Sequence, residues 1–210
     1  MAESATIQTE RPSVPDDPGI SYEEFLKGDW PNPHVEWVNG KVVDMAPIGG
    51  EHSEEHSWLD ALFRVYVETN QCGAIRLGPF QMRTGPDLPG RAPDIIFVSN
   101  DSINRLHETY LDGPADVAVE IVSPGSGGTD RGDKYFEYER GGVKEYWLID
   151  PQRRQAEFYR LGDDGIFHQT PTPDGVFRSE IMLGFWLKVE WLWRSSRPTV
   201  IQVLKEWGQV

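Results

Sequence analysis

The chain holds a single cysteine, Cys72, in 210 residues. A lone thiol cannot close an internal disulfide, so a disulfide scaffold is excluded and a reducing, cytoplasmic setting is expected. Long apolar runs are missing too: nothing approaches the ~18 consecutive apolar residues that a membrane helix needs. The opening stretch MAESATIQTERPSVPDDPG has neither a basic segment nor an apolar one, so no secretory signal is expected there. Positive charge is scarce: 20 Lys and Arg face 34 Asp and Glu, a formal charge of −14. Such a surface repels phosphate backbones and argues against nucleic acid, except where a local basic patch or a bound metal reverses the field.

Aromatic bulk is abundant, with 8 Trp, 7 Tyr and 9 Phe. This length can bury a real core as one domain. Residues 1–19, rich in Pro, Ser, Thr and acids, read as a disordered tail, and residues 20–210 as a single domain. Ser21 and Glu24 form an S-x-x-E capping box that opens a short helix. HVEWVNGKVVDM reads as a hairpin around Asn39-Gly40. From Glu54 to Glu68, apolar residues recur at helical spacing. AIRLGPFQMRT, APDIIFVS and DVAVEIVS follow as strands, then DRGDKYFEYERGG as a glycine-ended helix, and KEYWLID as a buried strand. AEFYRL and GIFHQT suggest a β-meander, and TVIQVLKEW a last helical turn. This order predicts an α/β core around a mixed sheet flanked by helices, with an N-terminal hairpin and a C-terminal meander.

Two of these strands each carry one acid. Asp94 stands between Pro93 and IIFV, Glu120 inside DVAVEIV, and Lys134 follows on the next helix. A carboxylate in a buried strand is costly unless it is paired or holds a metal. Either acid alone reads better as a cap or a salt-bridge partner near a strand end. Two neighbouring acids would repel unless a divalent cation held them, and the added lysine turns the trio into a candidate site.

RAPDIIFVS, DVAVEIVSPGSGGTDRGDKYFEYERGGVKEYWLIDP and LGFWLKVEWLW together resemble the Uma-two family of restriction endonuclease-like proteins, within the PD-(D/E)XK nuclease superfamily. The resemblance runs from about Tyr22 to Trp193 and implies that superfamily's fold. Asp94 supplies its first acid and Glu120 its second. Val122 stands where the usual lysine would follow, and the resemblance moves that lysine to Lys134, as a long flexible side chain allows. It also singles out Glu36 and His56. The implied activity is metal-dependent endonucleolytic hydrolysis of DNA phosphodiester bonds. Asp94, Glu120 and the backbone carbonyl of Ile121, with Glu36, would hold Mg²⁺ or Mn²⁺. A homodimer is implied by the same likeness.

GGEHSEEHSW offers a competing motif. His52-x-x-Glu55-His56 matches H-x-x-E-H, the inverted zinc-peptidase pattern. It lacks a third ligand, and Gly49-Gly50 put His52 at or before the helix start, so His52 is expected to be a solvated residue. His56 is expected at the edge of the nuclease site, or else as a packing residue. SPGSGGTD lacks the G-K-[ST] ending of a nucleotide loop. It reads as a loop above the site, with Thr129 or Asp130 as the helix N-cap and Asp130 also placed to pair with Lys134. Arg131, Arg140, Lys144, Arg153 and Arg154 could form a basic strip, or only a solvated face. The tryptophans read as core and dimer contacts. The rivals to the nuclease are a non-catalytic binding module on the same fold, favoured by the acidic charge, and the zinc peptidase.

Overall fold

The computed structural model describes residues 19–45, 49–124, 126–193 and 197–209. Residues 1–18 of the tail expected over 1–19, and Gly125 of the SPGSGGTD loop, lie outside the described residues.

Helix α1 (Tyr22–Lys27) opens at the expected capping box: Glu24 N donates to Ser21 Oγ at 3.2 Å, and Ser21 N donates to Glu24 Oε2 at 2.8 Å. Strands β1 (Val35–Val38) and β2 (Lys41–Asp44) pair antiparallel over Asn39 and Gly40, whose φ angles are +51° and +81°. Two successive positive φ values give the turn whose twist matches the strands it joins, which is why Asn-Gly serves here. Helix α2 (Gly50–Asn70) starts four residues before the apolar spacing predicts. Its buried stripe runs through His52, Glu55, Leu59, Leu62 and Tyr66, so the helical period continues into polar residues at its front.

Next come β3 (Gly73–Leu77), β4 (Gln81–Arg83), β5 (Gly90–Arg91), β6 (Ile95–Ser99), β7 (Tyr110–Asp112) and β8 (Val117–Ile121). The single strand expected over AIRLGPFQMRT is divided at Pro79, and β3 and β4 join different sheets. Proline has no N–H for a ladder, so the chain turns there. Helix α3 (Gly127–Thr129), a π-helical turn (Asp130–Lys134) and α4 (Tyr135–Gly141) run on without interruption. Thr129 and Asp130 are therefore inside the helical stretch and cap nothing, contrary to the expectation; α4 ends at Gly142, with φ +90°. Strands β9 (Glu145–Asp150), β10 (Gln155–Leu161), β11 (Phe167–Gln169), β12 (Val176–Arg178) and β13 (Trp186–Lys188) lead to α5 (Val200–Glu206).

The central sheet has six strands in the order β11-β10-β9-β8-β6-β3. Only β8 and β9 run parallel, and α3 to α4 form the crossover between them. β9-β10-β11 is the expected meander. Period-two alternation sorts the sheet's two faces. Val117, Val119 and Ile121 pack with α2, Trp147 and the β12-β13 hairpin, whereas Ala118, Val122, Tyr146 and Leu148 pack with Tyr138 of α4. Trp147, Phe63, Phe158, Phe177 and Phe185 form one aromatic cluster on the α2 face. The tryptophans expected in the core include Trp147 and Trp191, each 1% exposed or less. A smaller sheet, β2-β1-β5-β4-β7, brings β1 toward the same end as the tips of β6 and β8. No helix is long and apolar enough to cross a membrane among the described residues.

Candidate active site

Antiparallel pairing of β6 with β8 matches Ile95 to Val119, so Asp94, one step before β6, comes opposite the Glu120 end of β8. Asp94 Oδ2 accepts a 2.6 Å hydrogen bond from Ile121 N, which fixes its carboxylate at that strand end. Glu120 points to the α4 face and is 3% exposed. Its Oε1 accepts from the Tyr138 hydroxyl at 2.6 Å, and its Oε2 lies 2.9 Å from Lys134 Nζ.

Lys134 is buried among carboxylates. Besides Glu120, its ammonium is 3.3 Å from Asp130 Oδ1 and 3.5 Å from Glu36 Oε1. Asp130 is itself held by Ser126 Oγ at 2.7 Å. Glu36 comes from β1 and accepts from Arg91 Nη1 at 2.9 Å and from Ala92 N at 3.1 Å. Arg91 continues as a fork to Glu137 of α4, at 2.7 and 2.8 Å. The planar guanidinium thus joins β1, β5 and α4 in a way a lysine could not.

His52 corrects the sequence reading. It is 7% exposed, not solvated, and its Nε2 lies 3.2 Å from Asp94 Oδ1. The reason is register: because α2 begins at Gly50, His52 falls on the buried stripe. His56 also meets Asp94, through Nε2 to the backbone oxygen at 3.0 Å, and the two imidazoles lie nearly parallel with centroids 6.3 Å apart. Glu55, between them in sequence, turns to another neighbour, Arg197 at 3.0 Å. The H-x-x-E-H residues therefore do not converge: both imidazoles go to Asp94 and the glutamate leaves. Among the described residues, no three His, Cys, Asp or Glu side chains form a metal cluster.

Glu36, His52, Asp94, Glu120, Ile121 and Lys134 line one cavity of about 320 Å³. Five carboxylates (Glu36, Asp44, Asp94, Glu120 and Asp130) border it against two permanent cations, Arg91 and Lys134. The imbalance shows in proton affinities. Burial pushes the Glu120 carboxyl up to about 8; Lys134 opposes this, while Asp130, Asp94 and Glu36 add to it. Burial would raise Glu36 as well, but Lys134 and Arg91 outweigh it and hold that carboxyl below the usual range. Burial works against charge on Lys134, yet Glu120, Glu36 and Asp130 keep it firmly protonated. His52 is likewise opposed by burial, and Asp94 raises it above the ordinary histidine value.

The site thus gathers Glu36, Asp94, Glu120, Ile121 and Lys134 from β1, the tips of β6 and β8, and the π-helical turn, with His56 at its edge. Sequence reasoning missed Arg91, Glu137 and Tyr138, and took Asp130 only as a cap or a lysine partner. Tyr138 carried a usable signal, since it stands four residues after Lys134 on one helix face. Arg91 had none. The basic strip dissolves into local pairs: Arg131 with Asp150 and Glu157, Lys144 with Asp116, Arg153 with Asp150.

Known proteins bear on this arrangement at three levels. A crystal structure described as "a putative nuclease belonging to DUF820", from Anabaena variabilis ATCC 29413, superposes with a TM-score of 0.69. The alignment is 21% identical and covers 82% of this chain and 97% of that one, which establishes a shared fold. The Synechocystis sp. protein slr1290, described as uncharacterized, is 25% identical over 162 residues, spanning 73% of this chain and 80% of its own. The Uma2 family model, described as "Putative restriction endonuclease", matches residues 22–190, a span that holds every site residue named above. The chain belongs to the Uma2 family.

Proposed function

We propose that the chain is a DNA endonuclease that hydrolyses phosphodiester bonds with Mg²⁺ or Mn²⁺. The observation that carries this reading is the meeting of Lys134 with Glu120, on the cavity that Asp94 also lines, although forty residues separate Asp94 from Lys134. The donor set suits a hard dication: carboxylates outnumber permanent cations around the cavity, and burial, with Asp130, Asp94 and Glu36 adding to it, drives Glu120 toward protonation. Asp94, Glu120 and the carbonyl of Ile121, with Glu36 beside them, would hold the ion. Bound there, it would polarise the phosphodiester and acidify an attacking water.

The chain's own groups have separable tasks. Lys134 places a fixed positive charge where a phosphoryl oxygen gains negative charge. Arg91 and Ala92 N orient the Glu36 carboxylate toward the cavity. Tyr138 sets the direction of Glu120 by its hydrogen bond. His52 holds the other oxygen of the Asp94 carboxylate from the one that Ile121 N holds. Tyr138→Phe is expected to weaken Mn²⁺ binding about tenfold with the fold retained, because partners that orient a ligand govern affinity at roughly that scale. Calorimetric titration with Mn²⁺ measures it.

The acidic charge of −14 favours a second reading, a binding module that keeps the fold without cleaving. One experiment separates them: supercoiled plasmid and single-stranded circular DNA incubated with Mg²⁺ or Mn²⁺. Nicking by the wild type and none by Glu120→Ala supports the nuclease. No cleavage, together with no calorimetric Mn²⁺ binding at millimolar concentration, supports the module. In the nuclease reading the chain acts as a cytoplasmic homodimer, which light scattering checks.

A further inference from the structure

Helix α2 begins on Gly49 and Gly50, and no side-chain cap supports its first turn. Neither glycine has a heavy atom within 4 Å of where a Cβ would stand. An uncapped helix start depends on tertiary contacts for its position. Among the described residues, those contacts lie on two sides. On one side are His52 and His56 against Asp94. On the other is the C-terminal segment 197–209, which lies beyond the family-matched residues 22–190.

Arg197 is the centre of that second side. Its Nη2 lies 3.0 Å from Glu55 Oε2, its Nη1 donates to the backbone oxygen of Glu54 at 3.4 Å, and its guanidinium lies 5.6 Å from the Trp58 ring centroid. Trp58 Nε1 donates back to Pro198 O at 2.9 Å, so the backbone next to the arginine is anchored to the helix it holds. The segment is in turn fixed by Val203 and Leu204, both buried, and by Trp207 Nε1 donating to Trp186 O at 2.9 Å. Glu55 stands three residues after His52 and one before His56, a single helical turn of about 5 Å. Glu55 is 0% exposed.

We propose that Arg197 is a positioning residue that clamps the first turns of α2 and thereby seats His52 and His56 against Asp94. Its link to catalysis rests on the nuclease reading; the clamp itself does not. Burial pushes the Glu55 carboxyl up to about 7, and Arg197 is the group that opposes the rise. Without the guanidinium the front of α2 keeps a buried acid with no counter-charge and loses its hold on the C-terminal segment.

Nitrogen-detected NMR of the imidazoles in the full-length protein tests this without any cleavage assay. In Arg197→Met the resonances of His52 and His56 should move toward free-histidine values, while those of His107 and His168 stay in place. Arg197→Lys, which keeps the charge but not the fork, should restore them in part. In the cleavage assay Arg197→Met should lower kcat by about tenfold to a hundredfold at unchanged KM, the scale of a small misplacement of reacting groups. A lowered melting temperature with His52 and His56 unmoved would overturn the proposal, as would shifts in His107 and His168 equal to those in His52 and His56. If Arg197→Met does not fold, Arg197→Lys decides: unmoved His52 and His56 signals overturn the clamp, and selective shifts in those two support it. If the wild type does not cleave DNA, the nuclease reading fails while the imidazole result still judges the clamp.

Discussion

Lys134→Met is expected to abolish DNA cleavage and to cost the metal-free protein about 3–5 kcal/mol, the scale for breaking a buried pair by removing one partner. The cost arises because Glu120, Glu36 and Asp130 lose the ammonium that all three share, while their own burial is unchanged. The pH window follows from Glu36, whose carboxyl the structure holds below its ordinary 4.5. A lowered acid pKa adds stability above the unfolded value and loses it as pH falls through the folded one. The part of the wild type's advantage that comes through Glu36 should therefore be full at pH 7 to 8 and fade below about 4.5. Urea denaturation of both proteins across that range measures it. Added Mn²⁺ should return much of the lost stability, because the oxygen ligands remain. Cleavage by Lys134→Met at the wild-type rate would remove the lysine from the mechanism. The double variant Lys134→Met, Val122→Lys should regain part of the activity, since position 122 faces the same side of β8 as Glu120.

Glu120→Gln should have the opposite effect on the metal-free protein. Glu120 is a buried acid whose carboxyl is pushed up from 4.5 to about 8. An acid with a raised pKa costs the folded state nothing below 4.5, where both states are protonated. The cost grows from there to about 8 and is constant above, because the folded state keeps a proton that the unfolded state has released. Glutamine removes that cost. The variant should melt higher than the wild type at pH 8.5, by roughly 2–4 kcal/mol of stability, and the gain should vanish by pH 4. It should also fail to gain melting temperature with Mn²⁺, whereas the wild type gains. A variant less stable than the metal-free wild type at every pH would show that Glu120 is held by its partners rather than strained by its neighbours.

Much of the fold was legible because it depends on local pattern. Asn39-Gly40 can serve its tight turn in few other ways, Ser21 and Glu24 cap a helix by themselves, and the apolar runs of β6, β8 and β9 mark strands buried on both faces. The acids Asp94 and Glu120 stood out because charge is costly in such strands. The failures have physical causes as well. Apolar spacing traces a helix only as far as its buried residues are apolar, so the front of α2, where the buried stripe is His52 and Glu55, went unread. The strand expected through Pro79 joined two runs that belong to different sheets.

From the sequence alone came the hairpin, the buried strands, the meander and the acids Asp94 and Glu120, each marked by its immediate neighbours, while Lys134 stood out by following them one element later and by the family resemblance. Only the tertiary structure decided the rest of the site. Arg91 and Glu137, 46 residues apart, meet as a fork; Tyr138 reaches Glu120 across the helix–sheet interface; His52 rather than Glu55 turns to Asp94; and Arg197 reaches α2 from the far end of the chain. A charge is hydrogen-bonded or left costly by what packs against it, and that partner is set by strand register and layer contacts, which no local stretch of sequence encodes.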